Sequence, residues 1–159
     1  MELENNIKLC GRDTMVTQAI EEPVEVDLTL PDYCPDIEKI LKCTLTPQIF
    51  SRNISGGVLE IEGASVIKVM YVDSVRKTLR TSQQTVPFNR AINIKDYPEN
   101  HFLDTVATTE YVNCRALSPR RLVIKGALRI KVDIGGKTTT MIPSSESFSN
   151  FQKKCCTKK

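Results

Sequence analysis

Cysteines are the residues of this chain best suited to covalent chemistry, and there are six of them. Zinc sites usually draw on Cys or His residues set close together, whereas a disulfide needs only two thiols that can meet. The sequence contains no C-x-x-C pair and a single histidine, His101. We therefore predict no metal site and no cofactor, and take disulfide formation as the chemistry open to Cys10, Cys34, Cys43, Cys114, Cys155 and Cys156.

The sequence offers little to an enzyme mechanism. His101 is the one side chain that could act as a histidine base; we expect it on a loop, and no G-x-S-x-G elbow presents a serine beside it. Asp32 and Asp36 resemble paired carboxylates or metal ligands, but aspartates in such a stretch more often serve as turn or capping residues. P-loop and dinucleotide-binding glycine patterns are absent from the sequence. We predict a protein without catalytic residues.

Three of the cysteines lie near the ends of the chain. Cys10 belongs to an acidic N-terminal stretch, and Cys155 and Cys156 lie between two pairs of lysines. Adjacent cysteines cannot easily bond to each other, and nearby lysines favour the reactive thiolate. We predict that these three form disulfides between molecules; the alternative is frayed ends with unbonded thiols. Free thiols inside the folded part are expected at Cys34, Cys43 and Cys114, with Cys114 buried and a Cys34–Cys43 bond left open.

An internal repeat predicts the elements that must position these residues. The stretch SGGVLEIEGASVIKV at residues 55–69 returns without gaps as SPRRLVIKGALRIKV at residues 118–132. In both copies apolar and polar residues alternate, which predicts long, half-buried β-strands. Each copy has a glycine in its interior, Gly63 and Gly126, and we interpret both as residues of a bulge or bend.

Strand signals flank both copies and complete two similar units. Residues 47–54 and 78–86 surround the first copy, and residues 105–116 and 137–142 surround the second, with Gly135-Gly136 as a hairpin turn. Each unit is thus predicted to be a three-stranded antiparallel meander with one apolar face. Because such a face cannot be buried alone, we predict an all-β fold, a β-sandwich of two pseudo-symmetric meanders.

A further segment precedes the repeat. Residues 24–30 alternate as a strand, a proline ends it, and the apolar spacing that follows predicts one short helix near residues 36–42. Together the patterns predict a single β domain at residues 24–142. We expect two flexible arms around it, an acidic N-terminal arm at residues 1–23 and a polar, basic, cysteine-containing tail at residues 143–159.

Charge and hydropathy argue against two kinds of partner. The net charge is +3, but the last seven residues contain four lysines, and without these 18 basic side chains face 19 acidic ones. A near-neutral body without tryptophan lacks the basic face of a nucleic-acid binder, so we predict no nucleic-acid partner. No run of residues approaches the roughly 18 apolar positions of a membrane span. The first residues lack the features of a signal peptide, which predicts synthesis without export.

The stretch LPDYCPDI at residues 30–37 resembles a motif of the SPOCS-domain family of clostridial sporulation and spore-coat proteins. The likeness continues through LEIEGASVIKVMYVD, VPFNRAINI and CRALSPRRLVIKGALRIKV, over roughly residues 20–135. Members of the SipL type often carry a LysM module as well, whereas we expect only a short polar tail here. The family-motif residues are Leu30, Pro31, Asp32, Tyr33, Cys34, Pro35, Asp36 and Ile37.

The resemblance implies a non-enzymatic protein that helps to build the spore envelope. Such proteins are made in the mother-cell cytoplasm without a signal peptide and deposited on the spore surface, in the coat or exosporium. With the cysteine pattern, this leads us to expect a structural envelope or surface-appendage protein that assembles with itself into an ordered array or fibre, reinforced by intermolecular disulfides. The alternative is an adaptor that binds another spore-coat morphogenetic protein without polymerising. The expected partners are copies of itself and other spore-coat proteins.

Overall fold

The computed structural model describes residues 6–95, 97, 99 and 101–143, with only the main chain described at Asn6, Ile7, Ile142 and Pro143. Most of these residues lie in two three-stranded antiparallel sheets, ordered β1-β6-β5 and β2-β3-β4, which pack face to face. The all-β sandwich predicted from the repeat is confirmed. Its strands are β1 (Asn6–Thr29), β2 (Ile37–Ser55), β3 (Val58–Asp73), β4 (Leu79–Asn93), β5 (His101–Ser118) and β6 (Arg121–Pro143).

The two repeat copies supply the central strands of the two sheets. The first copy forms most of β3, and the second forms the first part of β6. On both strands alternate side chains point between the sheets, as the period of two predicts, and this layer forms the hydrophobic core. The largest fully buried apolar side chains are Leu59, Ile61, Ile67 and Val69 of β3 and Leu122, Ile124, Leu128, Ile130, Val132 and Ile134 of β6.

The first predicted meander is confirmed, but the second has a different third strand. β2, β3 and β4 follow one another in their sheet, whereas β6 lies between β5 and the N-terminal strand β1. Residues 137–142, predicted as a separate strand after a Gly135-Gly136 hairpin, continue β6 without a turn. A side chain at Gly135 would collide with the Asp13 carbonyl and the Phe102 ring, so this glycine serves close packing rather than a turn.

Strand pairing shows that the two halves of the chain are intertwined. β1 occupies beside β6 the place that β4 occupies beside β3, since Pro23 pairs with Ala127 just as Pro87 pairs with Ala64. The chain thus consists of two copies of a three-stranded unit, β1–β2–β3 and β4–β5–β6. The first strand of each unit completes the sheet of the other unit. Each sheet therefore depends on both units, which ties the two halves into one core.

The prediction of a short helix near residues 36–42 is wrong, because most of these residues begin β2. The register between β2 and β3 shifts after Ile37 and again after Ile40, as happens at β-bulges. Each bulge inserts one extra residue, so the more buried positions fall three apart, at Ile37, Ile40 and Cys43. Two bulges thus imitate helical spacing. No helix occurs in the described part of the chain, and so none there that could cross a membrane.

The segment expected to be a flexible acidic arm, residues 1–23, belongs to β1 from Asn6 onward. β5 begins opposite Gly136, and past this point β1 and β6 continue together as a two-stranded extension. We call this extension the ribbon and define it as residues 6–13 paired with residues 136–143. Nearly all of its described side chains are exposed, so the ribbon projects from the sandwich.

Candidate functional site

The family-motif segment, residues 30–37, is a loop at one end of the sandwich, where the chain crosses from β1 to β2. Both ends of the loop are fixed to the turn between β5 and β6. The Leu30 N–H donates to the Arg120 carbonyl at 2.8 Å, and the Ile37 N–H donates to the Pro119 carbonyl at 2.7 Å. The side chains of Leu30 and Ile37 are buried in the core. The apolar first and last residues of the motif therefore anchor it.

The guanidinium of Arg120 holds the inside of this loop. Its Nη1 donates to the Cys34 carbonyl at 3.1 Å and to Asp36 Oδ1 at 2.8 Å, and its Nη2 donates to the Pro31 carbonyl at 2.6 Å. Arginine carries five N–H donors in one rigid plane, so a single side chain can satisfy several carbonyls that face it. Arg120 therefore sets the shape of the motif loop.

The adjacent turn between β3 and β4 is organised by Asp73, whose side chain is 0 % exposed. This carboxylate accepts hydrogen bonds from the Thr78 hydroxyl, from the N–H groups of Val75 at 3.1 Å and Arg76 at 2.6 Å, and from Arg80 Nε at 3.2 Å. The Thr78 bond above all, joined by the others, holds the pKa of Asp73 well below its usual range, although burial opposes the shift. Asp73 is thus a buried negative charge that shapes the turn.

The motif loop and this turn meet around an open cavity of about 530 Å³. The two segments are joined by a hydrogen bond from the Ser74 N–H to the Asp36 carbonyl at 2.9 Å. Tyr33, which is 87 % exposed, and Val75, which is 75 % exposed, project beside the cavity, and Arg76 lines it. Tyrosine and arginine are enriched where proteins bind each other. We define Tyr33, Val75 and Arg76 as the motif surface.

Sequence reasoning did not single out Arg120 or Asp73. A signal for Arg120 lies in the repeat, because SGGV in the first copy becomes SPRR in the second, and Arg120 stands where the first copy has Gly57. The two positions make the same main-chain bond, since the Gly57 carbonyl accepts from Ile94 N–H at 2.8 Å just as the Arg120 carbonyl accepts from Leu30 N–H. Both copies of the repeat therefore make the same main-chain hydrogen bond, and the second copy adds the Arg120 guanidinium to it.

The bend glycines of the repeat occupy equivalent places on the central strands. Gly63 pairs with Ile49 of β2, and Gly126 pairs with Val112 of β5. In both edge strands the register shifts close to this pair. Neither glycine leaves room for a side chain, because a main-chain carbonyl of the edge strand approaches it closely. These glycines let bulged edge strands lie close to the centre of each sheet.

Of the three cysteines predicted to link molecules, the structure describes one. Cys10 lies on the ribbon, pairs with Thr139 and is exposed. Cys155 and Cys156 lie outside the described residues, as does the predicted tail beyond Pro143. The main chain at Pro143 pairs with Asn6, so both ends of the described chain leave the same tip of the ribbon.

The other three cysteines are free thiols within the sandwich, as expected. Cys34 lies half-buried in the motif loop. Cys114, predicted to be buried, is also half-buried, and its neighbour across the sandwich is Cys43. Burial above all, together with the neighbouring Cys114 thiol, raises the pKa of Cys43 to about 12.

The other residues considered for chemistry take part in ring contacts or ion pairs with neighbouring side chains. His101 is the first residue of β5 rather than a loop residue, and its ring stands edge-on to Tyr97 with centroids 5.2 Å apart. Asp32 and Asp36 both lie near the Arg120 guanidinium, at 3.9 Å and 2.8 Å. Within the described residues, no group of three or more His, Cys, Asp or Glu side chains could hold a metal ion.

Comparison with known proteins gives one match. A family model described as SipL, SPOCS domain matches residues 36–117, just over half of the chain, from the end of the motif loop to the end of β5. Neither a curated protein nor a solved structure matches the chain. The match covers the bulged start of β2, the first repeat copy and the turn that Asp73 organises. The chain belongs to the SipL, SPOCS domain family and is therefore a sporulation-related protein.

Proposed function

We propose that this protein is a structural, non-catalytic component of the spore envelope that assembles with copies of itself into an ordered array or fibre, reinforced by intermolecular disulfides. One observation carries the proposal: the ribbon projects from one end of the sandwich and bears the exposed thiol of Cys10. Family membership supplies the sporulation setting. The proposal includes synthesis in the mother-cell cytoplasm and deposition on the spore surface, in the coat, exosporium or an appendage.

The ribbon offers main-chain hydrogen-bonding groups to a second molecule. Within the described chain, β1 pairs with β6 on one side and with no strand on the other. Among the described residues, β6 also has no partner strand over residues 137–143 on its β5 side, because β5 begins only opposite Gly136. Unpaired strand edges readily bind strands of other molecules. The ribbon therefore has two edges, each able to extend a sheet into a neighbouring copy.

The ribbon and the motif surface lie at opposite ends of the sandwich. β1 starts in the ribbon and ends at the motif loop, so one strand spans the distance between them. A contact between two different surfaces of identical molecules forms a closed ring only if the rotation between neighbours brings the last copy back to the first. Otherwise, repeated copies build an open fibre. The two ribbon edges are such different surfaces. In the proposed assembly, the β1 edge of one ribbon pairs with the β6 edge of the next molecule's ribbon, and disulfides at Cys10, Cys155 and Cys156 make the contact covalent.

A denaturing gel of assembled protein, run with and without reductant, tests this function. Without reductant we expect a ladder of covalent oligomers, and with reductant a single monomer band. The Cys10→Ser and Cys155→Ser/Cys156→Ser variants should each shorten or abolish the ladder. Cys43→Ser is the matched control, because this thiol faces Cys114 inside the sandwich and its loss should leave the ladder intact. The proposal fails if assembled wild type gives no ladder or if the ladder persists in both test variants.

A second candidate function rests on the motif surface. An adaptor that binds another spore-coat morphogenetic protein needs an exposed anchor on a fixed scaffold, and Tyr33 beside the Arg120-held loop is such an anchor. The loop conformation is held by hydrogen bonds, so the loop loses little conformational entropy when a partner binds. This surface supports an adaptor role without polymerisation.

The adaptor role can be tested with two exposed tyrosines in sporulating cells. If the motif surface recruits the protein, Tyr33→Ser should abolish its localisation to the developing spore. Tyr111→Ser, which changes an exposed tyrosine on β5, should leave localisation unchanged. Normal localisation of both variants would remove the support for an adaptor at this surface.

A further inference from the structure

One side of the sandwich is a seam between the edge strands β2 and β5. The two strands run antiparallel to each other, because β2 begins where β5 ends, and the Ile37 N–H donates to the Pro119 carbonyl at 2.7 Å. Further along the seam, the Thr109 hydroxyl of β5 donates to the Leu45 carbonyl of β2. These two strands belong to different sheets, so the seam is a place where one covalent bond could join the two layers.

The register of this seam places two cysteines opposite each other. The Leu45 side chain occupies the space beside Gly126, with Cδ2 2.9 Å from where a Cβ would stand, and Gly126 pairs with Val112 of β5. On β2, Cys43 lies two residues before Leu45, and on β5, Cys114 lies two residues after Val112. Because the strands are antiparallel, both steps go in the same direction along the seam. Side chains two apart share a face of a strand, so this step brings Cys43 to Cys114.

The surroundings of the two thiols agree with this register. The Cys114 thiol lies near enough to Cys43 to help raise its pKa. Both side chains pack against the hydrophobic core and are half-buried, so each thiol is partly open to solvent. We propose that Cys43 and Cys114 form an intramolecular disulfide that joins the two sheets across the seam. This bond is separate from the intermolecular disulfides of the proposed function, and it goes beyond them.

The oxidation is a thiol–disulfide exchange with a small-molecule disulfide as the oxidant. The Cys114 thiolate attacks one sulfur of glutathione disulfide and releases one glutathione thiolate, forming a mixed disulfide. Cys43 then loses its proton to solvent, attacks the Cys114 sulfur and releases the second glutathione thiolate. The two cysteines together lose two electrons and two protons, and glutathione disulfide is reduced to two glutathione molecules.

The protonation of the thiols determines when the bond forms. Burial, assisted by the neighbouring Cys114, raises the pKa of Cys43 to about 12, and burial also raises the pKa of Cys114. Because the thiolate is the nucleophile, exchange at neutral pH is slow and accelerates as the pH rises. The pair therefore stays reduced while the protein is made under reducing conditions and closes on long exposure to an oxidant.

The test uses the full chain with four cysteines replaced, Cys10→Ser, Cys34→Ser, Cys155→Ser and Cys156→Ser, so that only Cys43 and Cys114 remain. After incubation with glutathione disulfide at mildly alkaline pH, we expect the intact mass to fall by two hydrogen atoms. The bond closes a loop of about 70 residues, so the guanidinium midpoint should rise by about 1 M over that of the reduced protein. In oxidised wild type, a non-reducing digest should contain the joined Cys43 and Cys114 peptides.

The matched control adds Cys43→Ser to the same background, leaving Cys114 alone, and its midpoint should not rise on oxidation. Two results overturn the proposal. One is retention of both thiols in the native protein after prolonged oxidation. The other is a disulfide that forms without raising the midpoint above that of the reduced protein, because such a bond does not join the sheets in their native arrangement. The wild-type digest keeps the test valid if the four-serine background does not fold.

Discussion

Gly63 and Gly126 make the same close approach on the two halves of the molecule. A Cβ at Gly126 would lie 2.7 Å from the Tyr111 carbonyl, and one at Gly63 would lie closer still to the Gln48 carbonyl and 2.6 Å from the Phe88 ring. Gln48 and Tyr111 are themselves separated by the period of the repeat, 63 residues. The repeat therefore preserves a backbone contact as well as a pattern of apolar side chains.

This contact predicts that Gly63→Ala destabilises the protein. The added methyl must push against a carbonyl that cannot move without disturbing the β2–β3 ladder, so we expect a loss of about 2–3 kcal/mol in the free energy of unfolding. Gly11→Ala is the control, since its nearest neighbour is the Thr138 side-chain oxygen at 3.1 Å on the exposed ribbon. Guanidinium titration measures both. Equal effects of the two substitutions would show that the close approach at Gly63 is unimportant.

Replacing Arg120 with lysine should loosen the motif loop. A lysine keeps the positive charge but cannot donate to three carbonyl or carboxylate groups from one rigid plane, so we expect a loss of about 1–3 kcal/mol. Faster amide exchange should be confined at first to residues 30–37. Arg121→Lys is the matched control, because the Arg121 guanidinium pairs with the Asp27 carboxylate on an exposed face, and we expect no measurable change there. Unchanged exchange in Arg120→Lys would contradict the assigned role.

The alternation of the sequence determined which side chains face the core but not which strands pair. A period of two fixes the face of a residue such as Leu59 or Leu122, because neighbouring side chains on a strand point to opposite sides. It carries no information on the partner strand, so the place of β1 beside β6 could not be read from it. A local pattern predicts faces well, whereas the intertwined topology depends on contacts far apart in sequence.

The errors near the candidate site have local physical causes. Two bulges gave Ile37 and Ile40 the spacing of a helix, and only the ladder with β3 shows that they lie in a strand. Gly135-Gly136 resembles a hairpin, but the crowding of Gly135 by Asp13 and Phe102 becomes visible only in three dimensions. The family motif coincides with the loop at residues 30–37, whereas Arg120, whose guanidinium holds this loop, lies in the turn between β5 and β6.

The charge of Asp73 predicts a pH dependence of stability. Its pKa in the folded protein lies below the usual value near 3.8, so its contribution is fully present above that value and is lost as the pH falls toward the folded pKa. Asp73→Asn should therefore lower the unfolding midpoint most at neutral pH, and the difference from wild type should shrink below about pH 4. Asp104→Asn, at an exposed carboxylate on β5, is the control and should follow the wild-type curve. A wild-type and Asp73→Asn difference that does not change with pH would contradict this account.

The thiols of the ribbon and of the seam should differ in their rates of alkylation. At pH 8 a thiol with a pKa of about 12 has roughly 1,000-fold less thiolate than one at the ordinary value of 9.0, so alkylation of native Cys43 should be slowed by about that factor. Cys10 is exposed on the ribbon and should react first. Timed alkylation of the reduced native protein, followed by peptide mass spectrometry, gives both rates. Comparable rates at Cys10 and Cys43 would contradict the burial of the seam pair.

The central claim, that the ribbon makes this sandwich a self-assembling unit, is tested most directly by electron microscopy of the purified full-length protein under oxidising conditions. We predict ordered arrays or fibres for the wild type and discrete particles for a variant that lacks residues 1–13, which removes the β1 half of the ribbon. Circular dichroism of the variant should still show a β-sheet spectrum. Discrete particles in wild-type samples, or ordered arrays in the truncated variant, would contradict the account.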